Sequence, residues 1–133
     1  MSTDILFSAK LTPILNQIGQ VLQIHHATLT CAESCTGGLI TKLITDQPGS
    51  STWFDRGFIT YSNAAKHQML NVPIQLLNQH GAVSQPVAEA MVTGAVKHSS
   101  SEFALAVTGI AGPDGGTTTK PVGTVWLAWA GPA

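Results

Sequence analysis

The sequence predicts a three-layer α/β/α sandwich around a mixed, largely parallel sheet, and three observations predict it. Short runs of β-branched, aromatic and small apolar residues, "ATLTCA", "WFDRGFITY", "FALAVTG" and "VGTVWLAWA", read as strands. Segments with apolar residues at helical spacing lie between most of them, the alternation that winds strands parallel with helices on both faces. Turn punctuation such as "DQPGSS" and "NVP" separates the two kinds of segment.

Taken in order, Ile5, Leu6, Ala9, Ile14, Leu15, Ile18 and Leu22 predict an N-terminal helix. Thr3 or Thr12 is available as its N-cap, and Pro13 either kinks the helix or starts its second half. A buried strand follows from Ala27 to Ala32, leading directly into "ESCTGG". "TGGLITKLIT" predicts the next helix, stopped by the Pro-Gly pair. A second strand spans about Trp53 to Tyr61, and Ser62 caps the helix "SNAAKHQML". A short helix from Ile74 to Gln79 ends at Gly81. Ser84 caps a longer one with Pro86 in its first turn and Val87, Ala90, Met91 and Ala95 as its inner stripe. "FALAVTG" is a buried third strand, "IAGPDGGTTTKP" a glycine-rich loop, and "VGTVWLAWA" the last strand.

At 133 residues the chain reads as one domain, residues 1–133, with enough length for a core of its own. Hydrophobic residues make up 44% and charged ones 10%, which excludes a disordered tail and favours a homo-oligomer, a dimer first, that hides uncharged surface. The six basic residues are scattered and the net charge is −1, so no nucleic acid partner is expected. The N-terminal segment lacks a basic, apolar leader and no run reaches membrane-spanning length, so a cytoplasmic protein without a membrane partner is expected. Cys31 and Cys35 have no second thiol pair; reduced cysteines, no zinc knuckle and no metal or other cofactor are expected.

Ligand sites of such sheets gather at the carboxyl ends of the strands. Three ends here carry polar groups: Glu33 and Ser34, then Tyr61 to Lys66, then Thr108 and the glycine loop. If the strands are neighbours, the three meet in one crevice. Ser34 stands where it can either cap a helix or, ahead of that helix's amides, attack a carbonyl whose oxyanion they receive. Gly37 and Gly38 weaken a helix start by about 1 kcal/mol each, which suits close approach to the backbone. The histidines fall in helical or turn segments, away from the strand ends. Lys66 is either a solvated helix lysine or, kept neutral by burial, the base for Ser34, with Tyr61 relaying or orienting the proton. Cys35 is the competing nucleophile, or else points into the core. Gly109, Gly112, Gly115 and Gly116 match neither mononucleotide nor dinucleotide loop patterns but can form an anion-holding nest.

Five ordered motifs, "AESCTGG", "GSS..F..GFITYSNAAK", "GAVS", "TGIAGPDGG" and "KPVGTVW", together resemble the C-terminal domain of the CinA (competence/damage-inducible) family, over about Ala27 to Trp129. The resemblance is greatest to its stand-alone amidohydrolase members. It implies an α/β/α enzyme that hydrolyses the carboxamide of nicotinamide mononucleotide to nicotinic acid mononucleotide and ammonia, in pyridine-nucleotide recycling. It further implies catalytic roles for Ser34, Tyr61, Lys66 and Thr108. Together with the crevice reading, it places Glu33, Cys35, Thr36, Gly37, Gly38 and the four loop glycines against the nucleotide. Family members usually run on past "GTVWLAW" into another strand and an arginine-bearing helix, whereas this chain ends at "AGPA". Two other readings of the same residues stand beside this one: a hydrolase of another amide, and a non-catalytic module that binds a nucleotide or a partner.

Overall fold

The computed structural model describes residues 2–132. Its elements are α1 (Ser2–Ile24), β1 (Leu29–Glu33), α2 (Leu39–Thr45), a 3-10 turn at Ser50–Thr52, β2 (Phe54–Ile59), α3 (Asn63–Leu70), α4 (Ile74–His80), α5 (Gln85–Lys97), β3 (Phe103–Gly109) and β4 (Val125–Ala130). The four strands form one sheet in the order β2-β1-β3-β4. β1 pairs in parallel with both β2 and β3, and β4 returns antiparallel to β3. This is the mixed, largely parallel sheet that the sequence predicts, with helices on both faces.

Alternation along the strands divides the core in two. Ala32, Ala104 and Ala106 face α3, α4 and α5, where Leu70, Val72, Leu77, Val87, Met91 and Ala95 cover them. Cys31 faces the other way, among Leu15, Leu22, Ile44, Trp53 and Phe54. The small residues on the first face let α5 lie close to β1, β3 and β4. Gly94 brings α5 equally close to the end of α3: a side chain there would meet the Leu70 carbonyl oxygen at 2.1 Å.

Several expected boundaries move, each for a physical reason. α1 runs through Pro13 and begins at Ser2, so neither Thr3 nor Thr12 is its N-cap. Ile5 and Leu6 lie outside the described residues as far as packing is concerned. Of the expected stripe, Ala9, Ile14 and Ile18 are exposed while Leu15 and Leu22 are buried, because the helix contacts its neighbours along the narrower line of Leu11, Leu15, Gly19 and Leu22. Gly19 is where Trp53 presses on that line; a Cβ there would sit 2.6 Å from the indole nitrogen. β1 lies two residues later than expected at its start and takes in Glu33, which pairs with Ile59 on one side and Val107 on the other. α2 begins only at Leu39, because Gly37 and Gly38 stand at φ +62° and +105°, a left-handed conformation that breaks a helix. Ser62 caps α3 as expected, accepting from the Ala65 amide at 3.0 Å. Ser84 precedes α5, but its hydroxyl donates back to the Gly81 carbonyl at 2.8 Å instead of capping.

The outer edge of the sheet is uncovered in the single chain. β4 turns Val125, Leu127 and Trp129 outward, Trp129 being 77% exposed. Among the described residues, no helix is long and apolar enough to cross a membrane.

Candidate active site

The strand order makes β2, β1 and β3 neighbours, so their carboxyl ends converge as the crevice reading requires. A cavity of about 330 Å³ opens there, lined by Ser34, Cys35, Tyr61, Lys66, Thr108 and Asp114, by Ala82 and Val83, and by the loop from Gly109 to Gly115. Ser34 comes one residue after β1 ends. Its amide donates to the Val107 carbonyl of β3 at 3.1 Å, and the preceding Glu33 carbonyl accepts the Thr60 amide at 2.8 Å. The nucleophile candidate is thus pinned from both neighbouring strands.

Lys66 sits one turn into α3 and is 1% exposed, which removes the reading of a solvated helix lysine. Its Nζ lies 2.9 Å from Ser34 Oγ, donates to the Thr60 carbonyl at 2.9 Å, and donates to the Tyr61 carbonyl at 3.1 Å. A neutral amine has two N–H bonds and one lone pair. The two carbonyls can take both of those hydrogens, and the lone pair can receive the Ser34 hydrogen once the hydroxyl turns from the Tyr61 carbonyl toward the amine. Burial also pulls the Lys66 pKa below its ordinary value, opposed only in part by the Cys35 sulfur nearby.

Tyr61 contributes through its backbone. Its carbonyl accepts from Lys66 and, at 3.5 Å, from Ser34 Oγ, while its side chain stands 75% exposed at the rim. The phenol thus stands at the cavity rim, and the hydrogen bonds Tyr61 makes to Lys66 and Ser34 run through its carbonyl. Thr108 lies on the cavity wall, buried, and donates its hydroxyl to the Ala82 carbonyl at 3.0 Å. That bond ties the end of β3 to the segment between α4 and α5, so Ala82 and Val83 of "GAVS" form part of the cavity wall. Cys35 is half-buried in the cavity, and its pKa is raised, chiefly by desolvation. A thiol held in its protonated form is a poor competitor for Ser34.

Not all of the expected binding residues reach the cavity. Glu33 is fully buried and turned away from it, because it is the last residue of β1 and strand alternation sends its side chain to the α2 side. Its carboxylate accepts from Thr36 Oγ1 at 2.5 Å, from the amides of Gly38, Ile40 and Thr41 at 3.2, 3.0 and 2.8 Å, and from Thr41 Oγ1 at 2.7 Å. Burial raises its pKa, but these bonds outweigh that effect and hold it below the ordinary value. Thr36 therefore spends its hydroxyl on Glu33, and Gly38 spends its amide there. The Gly37 amide closes a turn onto the Ser34 carbonyl at 3.1 Å. What remains of the expected oxyanion donors is the Cys35 and Thr36 amides, which lie against the Cys35 sulfur; of these two residues Cys35 lines the cavity and Thr36 does not. In the loop, Gly109, Gly112 and Gly115 line the cavity. Gly116 does not: it packs on Val122, where a Cβ would meet the backbone nitrogen at 2.7 Å.

Sequence reasoning missed the Thr60 and Tyr61 carbonyls, since a backbone acceptor has no letter. It also missed Lys120, whose Nζ donates to the His80 carbonyl at 2.5 Å and straps the glycine loop to the end of α4. Thr60 itself is fully buried, and its Oγ1 has no hydrogen-bond partner among the described residues. A valine there removes an unpaired hydroxyl without touching the carbonyl that holds Lys66. Thr60→Val is expected to stabilise the fold by about 1 kcal/mol, raising Tm by roughly 3–6 °C with turnover retained. A fall in Tm would show that the hydroxyl is paired.

Comparison with known proteins follows the same residues. The CinA C-terminal domain family matches residues 11–133. The nicotinamide-nucleotide amidohydrolase PncC of Escherichia coli (strain K12) is 55% identical over 122 residues, which cover 92% of this chain and 74% of that protein. PncC of Pseudomonas putida is 56% identical over 119 residues, covering 90% of this chain and 74% of its own. Among solved structures, the competence/damage inducible protein CihA from Agrobacterium tumefaciens superposes with a TM-score of 0.86 at 47% identity, over 88% of this chain and 71% of that one.

Proposed function

Because this chain belongs to the CinA C-terminal domain family, we propose that it is an amidohydrolase that deamidates nicotinamide mononucleotide, with Ser34 as nucleophile and Lys66 as base. The observation that carries the reading is the contact of 2.9 Å between Ser34 Oγ and a buried Lys66 Nζ whose other two partners are carbonyls. The PncC relatives, by their name, act on nicotinamide nucleotides, and at 55% identity they support the same substrate here.

The reaction balances with these groups. Lys66 takes the Ser34 proton as Oγ bonds to the carboxamide carbon. The carbonyl electrons move to oxygen, and the amides of Cys35 and Thr36 receive that charge. Lys66 then returns the proton to the nitrogen as the C–N bond breaks, and ammonia leaves. Water, deprotonated by the same amine, attacks the ester and frees nicotinic acid mononucleotide and Ser34. The glycine loop from Gly109 to Gly115 and the Thr108 end of β3 border the rest of the cavity, where the ribose phosphate would lie. On this reading the product supports a role in pyridine-nucleotide recycling.

The direct test incubates the protein with nicotinamide mononucleotide and follows ammonia and nicotinic acid mononucleotide together. Equimolar release of both is expected. Binding of the nucleotide without release would overturn the reading and leave a binding module.

A further inference from the structure

We infer that Glu33 is a positioning residue for this reaction: from the face of the sheet opposite the cavity, its carboxylate sets the turn that presents Ser34 and the amides of Cys35 and Thr36. The inference rests on the amidohydrolase reading and extends it to a side chain that never meets the substrate.

A fully buried carboxylate is expensive unless its oxygens are satisfied. Here both are satisfied by one short segment: Oε1 by Thr36 Oγ1 and the amides of Gly38 and Ile40, Oε2 by the amide and hydroxyl of Thr41. All five partners are donors. The segment they belong to contains Gly37 and Gly38, both at positive φ, so its own residues hold its shape weakly. The carboxylate supplies what the glycines lack. Its backbone is fixed between β2 and β3, and five bonds run from that fixed point into the turn from Thr36 to Thr41. The carboxylate engages the Gly38, Ile40 and Thr41 amides and leaves those of Cys35 and Thr36, which lie beside the Cys35 sulfur, outside its reach.

Charge and length both matter. Glutamine offers an acceptor on one side only, so its NH₂ group must face either the Thr41 donors or the three donors on Oε1. Aspartate falls one methylene short of the turn.

The experiment compares the wild type with Glu33→Gln, and with Thr41→Val as a milder variant that removes one donor and keeps the fold. Each is titrated with a fluorophosphonate that labels Ser34, and kcat is expressed per labelled site. For Glu33→Gln, kcat per site is expected to fall roughly 100-fold with KM within about threefold, the pattern of displaced transition-state donors. Thr41→Val is expected to lower kcat several-fold, again at constant KM. A merely structural role reduces the number of labelled sites and leaves the turnover of each unchanged; that result in either variant overturns the inference, as does a rise in KM alone. If the wild type takes label but releases no ammonia, the substrate reading falls, and Glu33 is judged on the labelling rate with the same expected drop. A wild type that does neither overturns both.

Discussion

Ser34→Ala is expected to lower ammonia release from nicotinamide mononucleotide by about 10⁴-fold or more, and Cys35→Ala to retain most of it, on the proposed mechanism. The two side chains share one cavity wall, so the pair of variants decides which of them attacks. Ser34 has Lys66 Nζ at 2.9 Å to take its proton; Cys35 has a pKa raised by burial and stays a thiol. The loss at Ser34 is large because nucleophile and base act as a unit, and a base without a nucleophile contributes nothing. What survives is the contribution of the oxyanion donors and of substrate binding to attack by water. The reverse pattern, an active Ser34→Ala and a dead Cys35→Ala, would transfer the mechanism to the thiol. The folded state of Ser34→Ala is checked by its far-UV circular dichroism.

How far the sequence made this site legible depends on which kind of group is considered. Ser34, Lys66 and Thr108 converge because they follow strands whose composition marks them as central and parallel, and strand ends of such sheets meet. Their meeting was therefore readable before any coordinate. The direction of Glu33 was not, because strand alternation has a period of two. Ending β1 at Ala32 leaves Glu33 free to face the ligand, whereas extending the strand by one residue sends it to the opposite layer. The same shift explains α2: a helix drawn from Thr36 puts Cys35 and Ser34 at its tip, but two left-handed glycines delay it to Leu39 and leave a turn that needs an outside anchor. The Tyr61 phenol was readable as a group that relays or orients a proton, whereas the Tyr61 carbonyl that bonds Lys66 was not, because a backbone acceptor has no letter. α1 misled in a third way, since Ile14 and Ile18 fit the helical period yet stay exposed. Period fixes which residues share a face and says nothing about how wide the covered stripe is.

Lys66→Met is the variant with the second large effect, and its value lies in two pH dependences that share one cause. Methionine keeps the stem and loses the amine, so turnover falls by about 10³-fold or more, consistent with the loss of a general base for a hydroxyl nucleophile. In the wild type, kcat/KM rises with pH as Lys66 loses its proton, and because burial depresses its pKa this limb lies below the ordinary value of 10.5. Stability follows with a definite sign. Between the folded and the unfolded pKa the unfolded chain binds the proton and the folded chain does not, so the free energy of unfolding increases with pH across that window. Below the folded pKa both states are protonated, and the full cost of burying the ammonium is present; above 10.5 neither is, and the cost is gone. Lys66→Met lacks this titration. Urea unfolding of both proteins from neutral pH upward should therefore show wild-type stability gaining on the variant from the pH at which the activity limb levels off up to about 10.5. A stability difference that does not change with pH, or an activity limb at the ordinary lysine pKa, would mean that Lys66 enters the folded state as a charged, unperturbed ammonium. It would then be unfit to take a proton from Ser34.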